Sequence, residues 1–151
     1  KSSYGEYTST NGWKAINSAL LSGTSTGTDS NPKFTFLGDE SVFAPCLNGK
    51  VGAAGVLTSP LLAGGIKTLS FNYGFPFTDS KCNITINIKQ DGAVVKTDTL
   101  DITSITKFQV YSYSLDVNVE GNFEIEIVNN SVSQSTSNKD RIAIWNLTWT
   151  N

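Results

Sequence analysis

Apolar side chains recur at every second position along most of this 151-residue chain. Leu69, Phe71, Tyr73 and Phe75 alternate with Ser70, Asn72 and Gly74, and Ile84, Ile86 and Ile88 with Thr85, Asn87 and Lys89. Tyr111, Tyr113, Leu115, Val117 and Val119 make a third such face. Phe123, Ile125 and Ile127 make a fourth, with Glu124 and Glu126 on its outer side. A period of two sends one set of side chains to a buried sheet face and the other to solvent, so each run predicts a half-buried strand.

The punctuation between runs agrees. From Gly55 to Gly74 a short apolar step enters Ser59-Pro60, breaks at Gly64-Gly65 and resumes at Leu69, which reads as strand, tight connection, strand. Asp91-Gly92 joins the isoleucine run to Val94–Leu100 and is a strong hairpin signal. Gly121-Asn122 turns the chain toward Phe123. Trp13 to Ser22 is the one segment with helical spacing, but its Gly-, Ser- and Thr-rich flanks favour extended structure. Gly23 to Pro32 reads as a polar loop, followed by a short strand carrying Phe34 and Phe36. In the closing run Ile142 and Ile144 fall on one face and Ala143, Trp145, Leu147 and Trp149 on the other. Such a strand is either covered on both sides or bulged.

No repeat or linker interrupts this pattern, so residues 1–151 read as one domain. The expected fold is all-β, a two-sheet antiparallel jelly-roll sandwich of about eight to ten strands, of the galactose-binding-like kind. Charged residues make up 16% and the net charge is −2, with one arginine, Arg141, which speaks against a nucleic-acid partner. No apolar run reaches membrane-span length, so no membrane insertion is expected. The KSSYGEY start has the look of a trimmed mature end, leaving an upstream export signal open. Cys46 and Cys82 admit two readings, one disulfide in an oxidising compartment or two buried thiols.

Histidine is absent, which removes the commonest general base and metal ligand. No phosphate-cradling loop occurs, Leu47 to Gly55 being only a glycine-rich connection, and the 13 acidic residues sit in no hydrolase motif. The expectation is a non-enzyme without an organic cofactor. A structural Ca²⁺ is left open, with Glu6, Asp39 and Asp140 as donors but no ligand spacing that marks a site.

Leu57-Thr58-Ser59-Pro60, the run Leu69 to Tyr73, the Asp91-Gly92 hairpin and the closing Asp140 to Leu147, with Asn11-Gly12-Trp13 and Leu47 to Lys50, together resemble the jelly-roll modules of secreted and surface proteins of gut Bacteroidetes. They are similar, more distantly, to galactose-binding-like and MAM-type sandwiches. The resemblance spans nearly the whole chain. It implies a secreted or cell-surface module, monomeric, accompanying glycan-degrading enzymes, nucleases or adhesins, with carbohydrate as the expected partner. The alternatives are a structural or adhesin-type interaction domain, or an accessory domain of an enzyme whose active site lies elsewhere.

Sugar recognition needs flat aromatic faces with amide, carboxylate or guanidinium groups around them. The aromatic candidates are Trp13, in a loop-like setting after Asn11-Gly12; Phe77, beside Pro76; and Trp145 and Trp149 on the last strand. Outside the sandwich those two tryptophans would form a stripe suited to a glycan chain; inside, they would be its largest core pieces. Tyr73, Phe75, Tyr111 and Tyr113 are expected to pack inward. The polar candidates are Asn72, Asn129, Asn130, Lys139, Asp140 and Arg141. Arg141 ends the polar connection that begins at Ser131, poised for an acidic sugar or for a carboxylate of the protein.

Overall fold

The computed structural model describes residues 4–22, 43–77, 79, 81–130 and 140–151. The predicted 23–32 loop, the Phe34/Phe36 strand, Asp39, Lys139 and most of the 131–141 connection lie outside them. Among the described residues there are ten strands: β1 (Gly5–Thr8), β2 (Lys14–Ser22), β3 (Phe43–Leu47), β4 (Val56–Thr58), β5 (Ile66–Gly74), β6 (Cys82–Gln90), β7 (Ala93–Ile102), β8 (Tyr111–Val119), β9 (Glu124–Asn129) and β10 (Ile142–Thr150). They contain no helix, and so none long and apolar enough to cross a membrane.

All pairings are antiparallel and run in the order β7-β6-β9-β4-β2-β3-β10-β5-β8, with β1 beside β2. Strand β2 changes partner along its length within this one continuous sheet. Lys14–Ile16 pair with β4, while Ser18–Ser22 pair with β3. Between them Asn17 takes a left-handed conformation (φ 47°), and β2 carries one residue more than β1 across the same stretch. Such a bulge bends and twists its strand, which lets one strand pass from one partner to the other.

The inward faces of the strands meet in one core. Ile84, Ile86 and Ile88 of β6 and Ile125 and Ile127 of β9 lie against Leu69 and Phe71 of β5, Val117 of β8 and Ile142 and Ile144 of β10. Each such side chain removed from water contributes about 1.5–3 kcal/mol, so the period-2 pattern is itself the main source of stability. Tyr73, Tyr111 and Tyr113 also face inward, as ladders: Tyr73 stacks on Tyr111 with centroids 5.4 Å apart, and Phe71 on Tyr113 at 4.7 Å. The Tyr113 hydroxyl donates to Asp98 on β7, tying the two edge strands where no backbone ladder joins them. The Asp91-Gly92 turn has both residues at positive φ (51° and 79°), the type I′ geometry that matches strand twist.

A second cluster lies on the outer face of β2, β3 and β10. Ala19, Leu21, Ala44, Cys46, Ala143 and Trp145 pack there with Tyr4, Phe77 and Phe108. Strand β10 is therefore covered on both sides over its first half. Past Trp145 it bulges: Trp145 pairs with Asn72 but Thr148 with Ser70, and Asn146 sits at φ 52°. The extra residue inverts the alternation, so Leu147 and Trp149 turn back toward the inner core. The single face expected to carry Trp145 and Trp149 does not exist; the two point to opposite sides of the sheet.

Cys46 and Cys82 are free, buried thiols, one in the outer cluster and one in the inner core, not a disulfide. Burial pushes the Cys46 thiol up to about 12. Strands β1 and β3 have no alternating signature. β3 even contains Pro45, tolerated because the ladder from β10 stops at Cys46, one residue short of it. Gly55 is fixed by crowding, since a Cβ there would lie 2.5 Å from the Asn48 nitrogen and 2.6 Å from Leu47 Cα.

Candidate functional site

The turn before β2 sets the first tryptophan. Ser9 N–H donates to the Trp13 carbonyl (2.8 Å), and Trp13 N–H donates to Ser9 Oγ (3.0 Å). Gly12, at φ 88°, allows the reversal while lying against Pro60. Trp13 is thereby held half-buried, its ring tilted 42° to that of Trp149 at 6.2 Å. Trp149 in turn meets the fully buried Phe123 edge-on at 6.4 Å. An aromatic chain runs from the core to the surface beside the β10 bulge at Asn146.

Two adjoining cavities open there. One, of about 480 Å³, is lined by Trp13, Pro45, Leu57, Ile144, Leu147 and Trp149, with Ser9, Asn11, Trp145 and Asn146 completing its wall. The other, of about 520 Å³, lies beside β1 and is lined by Glu6, Tyr7, Thr8, Lys14, Ala15 and Leu20. The two share Ser9, Trp13, Pro45 and Leu57. Among the described residues of the two linings the charged ones are Glu6 and Lys14, which pair with each other at 2.9 Å. The cleft thus offers indole faces and aliphatic walls with amides and hydroxyls around them. Its one carboxylate is engaged by Lys14, with no imidazole or thiol beside it. The arrangement suits reversible binding of a molecule with an apolar face and a polar edge.

Of the residues expected in a site, Trp13 and Trp149 come together in this cleft. Trp145 borders it but is only 6% exposed, because its side chain fills the outer cluster. Arg141 and Phe77 lie elsewhere. The Arg141 Nε donates to Asp79 Oδ2 (3.1 Å) and Nη2 to Oδ1 (3.4 Å), and its guanidinium covers the Phe77 ring at 4.0 Å. Burial alone would lower the pKa of Arg141, but the Asp79 carboxylate and the Tyr4 hydroxyl together offset this and hold it above its ordinary value. The side chains are 13% and 0% exposed, so of the two readings of Arg141 the structure contains the pairing with a protein carboxylate.

Asn72 pairs across the sheet with Trp145, on the outer face and away from the Trp13–Trp149 contact. Asn129 is fully buried, its Nδ2 donating to the carbonyls of Leu47 (3.1 Å) and Asp140 (2.8 Å), so it clamps strands rather than meeting ligand. Asn130 binds Asn83 and Thr85. Among the described residues no group of three or more acidic or cysteine side chains is placed to hold a metal ion; Glu6 is paired with Lys14, and Asp140 is buried. Sequence reasoning missed Tyr7, Leu20, Pro45 and Asn146. Only Asn146 carries a local signal, an asparagine interrupting an apolar strand and able to take positive φ.

No protein-family model matches the chain, and comparison with curated protein sequences finds no match. Solved structures do match. The module TmCBM61, solved with β-1,4-galactotriose, superposes with a TM-score of 0.57 at 11% identity over 92% of this chain and 88% of its own. The K2 cleaved adhesin domain of Lys-gingipain gives 0.58 at 12% identity over 96% and 93%. An arabinoxylan arabinofuranohydrolase from Bacillus subtilis, solved with cellotetraose, gives 0.54 at 14% identity, with 91% of this chain matching 25% of the enzyme. At such identities the likeness is one of fold, and it establishes the antiparallel β-sandwich architecture.

Proposed function

We propose that this chain is a non-catalytic carbohydrate-binding module, carried by a secreted or surface protein, that takes a neutral glycan in the cleft lined by Trp13 and Trp149. The observation that carries the reading is that pair of half-buried indoles, 6.2 Å apart and rimmed by Ser9, Asn11 and Asn146. A pyranose ring has an apolar face for stacking and a rim of hydroxyls for amides, which is the chemistry the cleft provides. Among the described lining residues Glu6 and Lys14 pair and sum to zero, so no net positive charge there favours a uronate. The ligands solved with two of the fold neighbours make β-1,4-linked hexose chains the first probes.

The test is affinity electrophoresis of the chain through gels cast with β-1,4-galactan, a soluble β-1,4-glucan, arabinoxylan and polygalacturonate. Retardation by a neutral polysaccharide, abolished by Trp13→Ala and absent with polygalacturonate, is the expected result. Free migration through all four would remove the reading and favour an adhesin-type interaction domain. The long edge strand β7, with Val94 and Val95 about half exposed, would then be the surface to examine.

A further inference from the structure

The cleft is larger than one sugar requires, and it has two parts that share Ser9, Trp13, Pro45 and Leu57. Its two cavities, about 480 and 520 Å³, are each of the size that holds a small-molecule ligand, and they adjoin along Trp13, Pro45 and Leu57. The first reaches from Trp13 to Trp149 and Asn146 on β10. The second continues from Trp13 along β1, past Tyr7 to the exposed Glu6–Lys14 pair. Trp13 is common to both. A ligand that met only the Trp13–Trp149 pair would leave the second cavity, with its half-buried tyrosine, filled by water.

On the reading that the cleft binds glycan, we infer that it holds an internal run of a linear chain in two compartments. One lies against the Trp13–Trp149 pair, bounded by Asn11, Asn146 and Leu147, and the other lies on the Tyr7 side of Trp13, so that the chain passes Trp13 rather than ending there. The first compartment determines whether a sugar binds, and the second makes affinity depend on chain length. Tyr7 borders only the second compartment, and Asn146 and Trp149 only the first. The two contributions are therefore separable by substitution. Because β1 is a four-residue strand whose chain neighbours are joined to it through a tight turn, its side chains are displayed without carrying the main core.

The experiment is isothermal titration of the intact chain with β-1,4-linked galacto- and gluco-oligosaccharides of two to six units, in wild type, Tyr7→Ala and Lys14→Gln. Affinity in the wild type should rise about tenfold from disaccharide to tetrasaccharide, the gain of one further aromatic contact. Tyr7→Ala should flatten that rise while leaving disaccharide affinity within about twofold. Lys14→Gln, at the exposed far rim, tests the same compartment should Tyr7→Ala fail to fold, and should reduce only the gain beyond the disaccharide. Affinity that is flat from the disaccharide upward, with both variants unchanged, would overturn the inference while leaving the Trp13–Trp149 site standing. Failure of every oligosaccharide to bind wild type would remove the underlying reading and the inference with it.

Discussion

The two halves of β10 carry a tryptophan each, and the two have opposite fates. Trp145 sits before the bulge, on the outer face, sealed under Tyr4, Phe77 and Phe108. Trp149 sits after it, on the inner face, where the sandwich opens into a cleft beside Trp13. One extra residue at Asn146 separates a core position from one that lines the cleft. The lesson is that residue type and strand identity do not assign an aromatic to ligand or core. Register does, because a shift of one residue exchanges the faces of everything that follows.

The sharpest way to break the comparison is to delete the buried member. Trp145→Ala should cost about 3–5 kcal/mol of stability, since it empties a packed site among Ala143, Cys46 and Phe77. Denaturant unfolding reads this as a lowered midpoint. A loss under about 1 kcal/mol would mean that the outer cluster is not a core. The same cluster is held by the Arg141–Asp79 pair, so Asp79→Ala should cost a comparable ~3–5 kcal/mol by leaving a guanidinium buried without its carboxylate. An unchanged midpoint in that variant would show the pair to be solvated instead.

The outer cluster should also respond to alkali. Burial raises the Tyr4 hydroxyl and the Cys46 thiol above their ordinary values of 10.0 and 9.0, and burial together with the bond to Asp98 raises Tyr113 in the inner ladder. A group whose folded pKa is raised stabilises fully below its unfolded pKa and loses that contribution as pH climbs toward the folded value. Stability should therefore hold up to about pH 9 and then fall by about 1.4 kcal/mol per pH unit for each group that the unfolded chain has ionised. Thermal melts from pH 8 to 11 check this, and Tyr113→Phe should remove its share of the slope. A flat profile across that range would contradict the burial of these groups.

The smallest effect is expected at the bulge itself. Asn146 already has φ 52°, so Asn146→Gly should change stability by less than about 1 kcal/mol and lose from binding only what the rim amide supplies, whereas Asn146→Val should lose stability and binding together by straining the left-handed backbone. Equal behaviour of the two variants would mean that the bulge is not what orients Trp149.

Much of the fold was legible because period-2 burial is a local signal with a large free energy behind it. The isoleucines of β6, the β5 face and the Asp91-Gly92 turn all fall where alternation and turn chemistry put them. β1 and β3 were not legible: β1 is only four residues long, β3 is short and pairs with β10 from the far end of the chain, and Pro45 reads as a strand breaker unless its neighbour is known to stop short. The site was half legible. Trp13 and Trp149 were among the candidates, but so were Arg141 and Phe77, which satisfy each other and Asp79. A guanidinium that meets a carboxylate 62 residues away has nothing local to announce the partnership. The bulge was foreseen only as an alternative, because an extra residue in a ladder is defined by the opposite strand.

The central claim is that Trp149 belongs to a glycan site and Trp145 to the core. Isothermal titration of the best-retarding polysaccharide's tetrasaccharide against Trp149→Ala and Trp145→Phe, each verified as folded by near-UV circular dichroism, tests it directly. The account predicts that Trp149→Ala weakens binding at least about tenfold while Trp145→Phe, which keeps the ring in the outer cluster, leaves it within about twofold. Binding that survives Trp149→Ala and is lost in Trp145→Phe would contradict it.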